Sequence, residues 1–273
     1  MNTALSETVF SKSVSPETVL VTGASSGIGL ELARCFAADK STLMLTARNT
    51  EALEKLAAEL RRDHGITVHV LTADLARPDA PEKIFAELQG RGLTVDVLIN
   101  NAGFGLQGAF AGLSLARQLE IIQVNITALT ALTGLFLPGL LARKRGGILN
   151  VGSVAGFLPG PNMAVYYASK AFVLSFTEAL AAEYADSGLT FNVLCPGPTE
   201  SNFGTVARGG KARRVQTPRM TARAVAVYGH QKFRAGRVVA IPGLTNRLFA
   251  FAPRIAPRSL ARRIVKKYNR PIE

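Results

Sequence analysis

The chain has 273 residues, 48% of them hydrophobic, which is enough for one large α/β domain with a sizeable core. Its two cysteines, Cys35 and Cys195, lack CxxC spacing and do not form a metal-ligand pattern with the three histidines, so we expect neither a disulfide framework nor a metal site. The net charge of +13 is uneven, because residues 200–273 carry 17 Lys and Arg side chains against two carboxylates, while the rest sums to −2.

The first residues of the chain, 1–16, are rich in Ser and Thr and lack a continuous apolar run. This composition does not match a signal peptide, so we predict a flexible leader. Together with the unpaired cysteines, it favours a reducing, cytoplasmic location.

Short apolar runs alternate with longer helical patterns over residues 17–242. Strands are predicted at 18–22, 41–48, 66–74, 95–100, 147–153, 189–196 and 237–242, and helices at 28–39, 51–63, 80–89, 113–143, 165–187 and 221–235. This order predicts one α/β domain with a doubly wound, mostly parallel seven-stranded sheet and helices on both faces. A polar, Gly-rich segment at 197–217 is predicted to be a lid, and 243–273 a basic C-terminal extension.

The long helix imitates a membrane span, since residues 121–142 contain no charged side chain. The stretch does contain Gln, Asn and Thr residues, two glycines and a proline. A buried helix explains this better, with the sheet on one side and another subunit on the other. We therefore expect a homodimer or a homotetramer.

The sequence "TGASSGIG" at 22–29 follows the first strand and opens the first helix. Its glycines permit a tight turn and close approach of a phosphate to free N–H groups at a helix N-terminus, which is typical of a dinucleotide site. The second strand ends in Arg48 rather than in an acid. A guanidinium there can pair with a 2′-phosphate, which favours NADP over NAD, whereas the alternative is a surface charge.

Polar residues also follow the third and fourth predicted strands, as Asp74 and as "NNAG" at 100–103. Ligands bind at the carboxyl ends of parallel strands, although Asp74 equally well caps the following helix. Further on, "YYASK" at 166–170 places Tyr166 four residues and Tyr167 three residues before Lys170. Both spacings share a helix face with the lysine, so geometry alone does not choose between the tyrosines.

These motifs, with Asn125 in "VNI", Ser153 in "VGS" and "PGPT" at 196–199, resemble the short-chain dehydrogenase/reductase family in order and spacing over about residues 17–242. The resemblance implies a Rossmann-like fold, a nicotinamide cofactor, for which Arg48 favours NADP(H), and hydride transfer between a carbonyl and an alcohol. It also implies catalytic roles for four residues. Tyr166 is expected to be the acid, Lys170 to lower its pKa and hold the ribose, Ser153 to orient the substrate oxygen and Asn125 to seat a water.

The same resemblance, with the placements above, implies a set of cofactor-binding residues: Gly23, Ser25, Ser26, Gly27, Ile28, Gly29, Arg48, Asn49, Asp74, Leu75, Asn101, Ala102, Gly103, Tyr166, Lys170, Pro196, Gly197 and Thr199. The chemistry of carbonyl reduction supports the catalytic set independently. An alkoxide forms during reduction and needs an acid and a hydroxyl nearby, and an ammonium one helical turn away favours the phenolate.

The residues predicted for the substrate pocket are largely apolar: Phe104, Leu106, Ser153, Phe157, Tyr166 and Phe203, with Leu158 and Met163 beside them. No Arg or Lys lies between Ser153 and Tyr166 to bind a small carboxylate. This predicts a lipophilic carbonyl or alcohol of the 3-oxoacyl, sphingoid-like, sterol or retinoid type, and core packing is the alternative reading of each residue.

The C-terminal residues 244–270 interleave Leu, Phe and Ile with Arg and Lys. Such a segment can lie on an anionic membrane surface, pack on the domain or cover a neighbouring subunit. Three other functions are alternatives: an NADP-binding regulator without turnover, an isomerase or dehydratase on the same fold, and a nucleic-acid-binding protein. Only the positive charge of the tail supports the last of these.

Overall fold

The structure is a computed structural model that describes residues 16–201, 203–207, 219–252 and 257–270. Nearly all of the predicted leader, and residues 202 and 208–217 of the predicted lid, lie outside these ranges. The first half contains β1 (Thr18–Thr22), α1 (Gly27–Ala38), β2 (Thr42–Ala47), α2 (Thr50–His64), β3 (Val68–Thr72), α3 (Ala80–Gly90), β4 (Val97–Asn100), α4 (Leu115–Ile122) and α5 (Leu129–Arg143). The second half contains β5 (Gly147–Val151), α6 (Ala164–Glu183), β6 (Thr190–Leu194), β7 (Thr199–Glu200), α7 (Phe203–Ala207), β8 (Met220–Thr221), α8 (Ala222–Arg234), β9 (Val239–Ala240), α9 (Leu244–Phe251) and α10 (Arg258–Tyr268).

The main sheet has seven parallel strands, which confirms the predicted parallel seven-stranded sheet, and their order is β3-β2-β1-β4-β5-β6-β9. The strand order reverses between β1 and β4, so the loops that follow these two strands diverge and leave a crevice at the carboxyl edge of the sheet. The last strand is shorter than predicted. Only Val239 and Ala240 pair with β6, because β9 is an edge strand that ends before Pro242, which has no N–H to donate.

The helices cover both faces of the sheet because every central strand is apolar on both faces. Val19 and Val21 contact the α1, α2 and α8 layer, whereas Leu20 between them contacts the α3 and α5 layer. Successive residues of a strand point to opposite faces, which explains this division. Continuous apolar runs, rather than alternating ones, therefore produce the three-layer Rossmann-like architecture.

The helix that runs from Leu115 to Arg143 is the one stretch of the described residues long and apolar enough to cross a membrane, with a mean hydropathy of 1.7. Half of that apolar stretch is buried. Ala128, Leu132 and Leu140 pack on the sheet, as predicted for a core helix. A π-helical turn at Gln123–Ala128 joins α4 to α5.

A buried polar network lies at the carboxyl ends of β4 and β5. The Asn100 side chain donates to Thr133 Oγ1 of α5 at 3.3 Å and to Asn150 Oδ1 of β5 at 3.0 Å. Asn150 donates in turn to Thr177 Oγ1 of α6 at 2.9 Å. These bonds tie two strands to the two helices behind the crevice, so the walls of the candidate site are fixed relative to the sheet.

At the opposite, amino edge of the sheet, the buried carboxylate of Asp96 joins three segments. It accepts hydrogen bonds from the Thr18 N–H of β1 at 3.1 Å and from the Arg145 guanidinium at 2.7 Å, and Arg143 lies 3.4 Å away. Burial opposes ionisation, but these donors and cations together lower the pKa of Asp96 below its ordinary value.

We predict that Asp96→Asn lowers the free energy of unfolding by about 2 kcal/mol at neutral pH, since the charge-assisted bonds are lost. A lowered folded-state pKa adds stability above the ordinary carboxyl pKa and loses it as the pH falls through the folded value. The free energies of unfolding of wild type and variant, measured with urea, should therefore converge at acidic pH. A difference in unfolding free energy that stays constant down to acidic pH would contradict an ionic origin of the stabilisation.

Candidate functional site

The glycine loop after β1 is held by the loop after β4. The Asn101 amide donates to the Thr22 carbonyl at 2.9 Å and to the Gly23 carbonyl at 3.1 Å. Gly23 has a φ of +66°, which favours glycine, and a Cβ on Gly29 would lie 2.3 Å from Asn101 Nδ2. The turn before α1 therefore needs glycine for backbone conformation and for close packing.

The N-terminus of α1 faces the crevice. Ser26 occupies the N-cap position without a side-chain hydrogen bond to the helix, and no acidic residue lies in the first turn. The first backbone N–H groups of α1 thus have no side-chain cap, and the helix dipole favours an anion there. This donor set fits the pyrophosphate of a dinucleotide.

A cavity of about 2060 Å³ extends from this loop along the carboxyl edge. Of the residues predicted for catalysis, cofactor and substrate, all but four line it. Gly29 packs behind the loop and Asn125 is buried behind the wall. Leu106 borders a separate cavity of about 30 Å³, and Phe157 packs with a buried cluster that includes Leu129 and Val173.

Tyr166 lies at the centre of this cavity and is 9% exposed. Burial raises the pKa of its hydroxyl above the ordinary value, and a hydrogen bond with Ser153 partly opposes this. The Ser153 hydroxyl also accepts from the Ala155 N–H at 3.1 Å and reaches the Pro196 carbonyl at 3.4 Å. A protonated tyrosine and an oriented hydroxyl therefore meet at one point of the cavity.

Lys170 lies one helical turn after Tyr166 and is 5% exposed. Its Nζ donates to the Val151 carbonyl at 2.7 Å and lies 5.9 Å from the centre of the Tyr166 ring. Burial lowers the pKa of the ammonium to about 8. Burial is thus the largest influence on the pKa values of both groups, and the expected lowering of the tyrosine pKa by Lys170 stays a prediction.

Asn125 braces the loop that carries Phe104. Its amide donates to the Phe104 carbonyl at 3.0 Å and to Ser169 Oγ at 3.0 Å, and its oxygen accepts from the Phe104 N–H at 3.1 Å. The residue belongs to the π-helical turn, which shifts the hydrogen-bond pattern of the helix at this point. Asn125 thus connects the helix to both the loop and α6.

The end of the cavity near β2 and β3 carries Arg48, Asn49 and Asp74. Asn49 caps α2 by accepting from Ala52 N–H at 3.0 Å. Asp74 accepts from the Ala76 N–H at 3.1 Å, so its carboxylate closes a turn rather than capping α3, whose N-cap is Asp79. Arg48 is exposed and has no carboxylate partner among the described residues.

The substrate end of the cavity is bordered by Phe104, Met163 and Phe203. The Phe203 ring of α7 lies 5.1 Å from the ring of Tyr166, so the described part of the predicted lid contacts the candidate acid. Leu158 is buried in the cluster beside these residues, and it does not line the cavity. The predicted apolar character therefore holds for this wall, with fewer residues than expected.

Sequence reasoning missed the part of the wall that comes from the C-terminus: Phe249, Ile264, Lys267, Tyr268, Asn269 and Arg270. Ala261 and Val265 of α10 pack against Tyr166 and Tyr167. Of the three readings of the C-terminal segment, packing on the domain is therefore observed for α10. The one available signal was the apolar spacing of four between residues 261 and 265.

The two thiols are buried, and metal-ligating side chains do not cluster among the described residues. Cys35 and Cys195 are free and buried, and burial raises the pKa of both thiols. Within the described ranges, no three His, Cys, Asp or Glu side chains are grouped closely enough to hold a metal ion.

Comparison with known proteins gives a consistent result. A family model described as short chain dehydrogenase matches residues 17–211. A ketoacyl reductase, HetN, of Nostoc sp. is 32% identical over 212 residues, which cover 77% of this chain and 74% of that protein.

Solved structures are similar too. A short-chain dehydrogenase from Sphingobium yanoikuyae in complex with NADPH is 34% identical, with a TM-score of 0.80 over 89% of this chain and 94% of that one. A short-chain dehydrogenase/reductase from Burkholderia phymatum in complex with NAD is 25% identical, with a TM-score of 0.74 over 85% and 92%.

We predict that Gly29→Ala weakens NADPH binding about tenfold or more, because the added methyl group displaces Asn101 and with it the glycine loop. Fluorescence titration with NADPH measures the effect. Gly90→Ala is the matched control, since a Cβ at that exposed helical position meets nothing within 4 Å. Equal affinities of the two variants would show that the loop does not need glycine at position 29.

Proposed function

The chain belongs to the short-chain dehydrogenase family, which confirms the resemblance stated above, and on that premise we propose that it is an NADP(H)-dependent oxidoreductase acting on a lipophilic carbonyl or secondary alcohol. The observation that carries the proposal is the meeting of Tyr166, Ser153 and Lys170 in a cavity continuous with the glycine loop. An acid, an oxygen-orienting hydroxyl and a dinucleotide site are the parts that carbonyl reduction requires.

When bound at the glycine loop, a nicotinamide cofactor would supply or accept the hydride of this reaction. Ser153 donates a hydrogen bond to the substrate oxygen and holds it against the Tyr166 hydroxyl. Tyr166 transfers its proton to that oxygen as negative charge develops, and it takes a proton back in the oxidative direction. The raised pKa keeps Tyr166 protonated, which suits an acid in reduction.

Lys170 and Asn125 assist the proton transfer from Tyr166 indirectly. A lysine with a pKa of about 8 is largely protonated at neutral pH, so its ammonium stabilises the phenolate that Tyr166 leaves behind. Lys170 would also hold a hydroxyl of the nicotinamide ribose, as the family resemblance implies. Asn125 fixes the Phe104 loop, and a water at its π-helical turn would complete a proton path to solvent.

Arg48 supports NADP over NAD as the preferred cofactor. Its guanidinium lies at the cavity wall without a carboxylate partner among described residues, and a carboxylate that would bind the ribose 2′-hydroxyl is missing from the end of β2. Asp74 follows the next strand and is engaged with the Ala76 N–H. The NADPH complex of the Sphingobium yanoikuyae protein agrees with this choice, whereas the Burkholderia phymatum structure contains NAD.

The substrate is proposed to be lipophilic because Phe104, Met163 and Phe203 border the cavity beside Tyr166. The ketoacyl reductase relative supports a 3-oxoacyl substrate among the types considered. A regulator that binds NADP without turnover is the alternative. The complete acid, hydroxyl and lysine set speaks against it, because a sensor does not require a proton donor.

Assembly and surroundings complete the proposal. The outward face of the helix from Leu115 to Arg143 exposes Thr127, Thr130, Gly134 and Pro138, none of which has a long side chain, so a second subunit can approach closely and we propose a homo-oligomer. The free cysteines suit a reducing cytoplasm.

On α9, Leu244 and Leu248 are 72% and 63% exposed, which supports peripheral contact with an anionic membrane surface.

We predict that Tyr166→Phe lowers the rate of NADPH-dependent ketone reduction about a hundredfold or more while NADPH still binds, because the proton donor is lost. Tyr167→Phe is the matched control. Its hydroxyl bonds to Asn269 Oδ1 at 3.3 Å, so it should keep most of kcat and raise KM a few-fold. Optical assay of NADPH oxidation with ketones of increasing chain length gives both values. The reverse pattern would assign the acid to Tyr167.

A second prediction concerns the cofactor. Arg48→Gln should weaken NADPH binding about tenfold or more and leave NADH binding nearly unchanged, because only NADPH carries the 2′-phosphate that the guanidinium would bind. Fluorescence titration of both cofactors measures the ratio. A parallel loss for both would mean that Arg48 supports the loop rather than the phosphate.

A further inference from the structure

The end of α10 is fixed beside the candidate site by one buried residue, Asn269, which is 3% exposed. Its amide donates to the Pro161 carbonyl at 3.1 Å, and its side-chain oxygen accepts from the Tyr167 hydroxyl at 3.3 Å. Its backbone carbonyl accepts from Gln107 Nε2 at 3.2 Å and from Asn162 Nδ2 at 3.3 Å. Buried polar groups are costly to leave unpaired, so these bonds specify where the tail lies.

The same side of α10 packs on the active-site cluster. Ala261 and Val265 are 8% and 2% exposed and contact the cluster of Tyr166 and Tyr167. With Asn269 they form a stripe at intervals of four residues, so one face of the helix is committed to the domain. The residues that flank this stripe on the open side, Ile264 and Lys267, border the cavity.

Charge at the cavity wall is unequal. Among the described residues that line it, the cations are Arg48, Lys170, Arg219, Lys267 and Arg270, and the carboxylates are Asp74 and Glu120. Glu120 forms an ion pair with Arg117. Lys267 and Arg270 have no carboxylate partner within the described ranges, so they add positive potential at the tail end of the cavity.

We propose that Lys267, assisted by Arg270, binds an anionic group at the end of the substrate that is distant from the reacting carbonyl. The inference rests on the proposed reductase function and names its substrate class, an apolar carbonyl compound that ends in a carboxylate or a phosphate. Tyr166 binds the carbonyl end, the apolar wall of Met163, Phe203 and Ile264 contacts the body, and α10 supplies the cation. Lys267 and Arg270 are both exposed, so their attraction for such a group is that of partly solvated cations acting at short range.

The test compares three ketones of one chain length that end in a carboxylate, a phosphate ester or a methyl ester. Wild type should favour at least one anion over the methyl ester about tenfold in KM, and Lys267→Gln should remove most of that preference without changing kcat. Lys266→Gln is the matched control, because it removes the same charge from the neighbouring residue, which does not line the cavity. The better anion identifies the chemical source of the group.

Binding measured without turnover separates this inference from the proposed function. In the Tyr166→Phe background, calorimetric titration with the carboxylate ketone should show about tenfold weaker binding when Lys267 is replaced by Gln, and nearly unchanged binding when Lys266 is. This result supports the anion site even if no ketone is reduced. Equal losses for both lysines, no loss for either, or equal binding of ester and acid would overturn it.

The placement of α10 has its own test. Asn269→Ala should raise KM for the anionic ketones and the ester alike, since the wall loosens, while NADPH affinity stays within about twofold of wild type. Unchanged KM values for all three ketones would show that α10 does not border the bound substrate, and the anion site would fall with it.

Discussion

The candidate site depends on one junction, where the Thr22 hydroxyl at the end of β1 meets the loop that follows β4. This oxygen accepts from the backbone N–H groups of Asn101 and Ala102 at 3.0 Å each and donates to the Ile99 carbonyl at 3.2 Å. The strand order reverses between these two strands, so their loops would otherwise separate. These hydrogen bonds hold the two loops together. The glycine loop and the loop after β4 therefore keep fixed positions at the cavity that leads to Tyr166.

Burial away from water is the main influence on the protonation states of Tyr166 and Lys170. It raises the pKa of Tyr166 and lowers the pKa of Lys170, so both groups are displaced toward their neutral forms. A hydrogen bond with Ser153 partly opposes the rise in the pKa of Tyr166, and the nearby Cys195 thiol partly opposes the fall in the pKa of Lys170. The arrangement favours a tyrosine that gives a proton rather than one that already lacks it.

Local patterns in the sequence were sufficient for the parts of the molecule that depend on local physics. The strand and helix order, the parallel sheet and the glycine turn follow from apolar runs, periodicity and backbone conformation. Side-chain direction in loops was not predictable in this way. Leu106 and Phe157 are apolar and close in sequence to site residues, yet each points into a different packing environment.

The long-range parts were also beyond sequence reasoning. Gln107 and Asn269 are 162 positions apart, and their hydrogen bond depends on how α10 packs, which no short motif encodes. The extent of burial around Lys170, and hence the direction of its pKa change, is likewise a property of the assembled domain.

The hydrogen bonds of Asn269 hold α10 beside the cavity, and this has a consequence for how the cavity can vary between related chains. Because α10 borders the cavity, a substitution on the side of α10 that faces it changes the cavity lining without altering the sheet. The proposed acid Tyr166 and Lys170 belong instead to α6, and the glycine turn lies between β1 and α1. Exchange of the C-terminal helices between homologous chains would therefore change the lining of the cavity while these residues keep their positions.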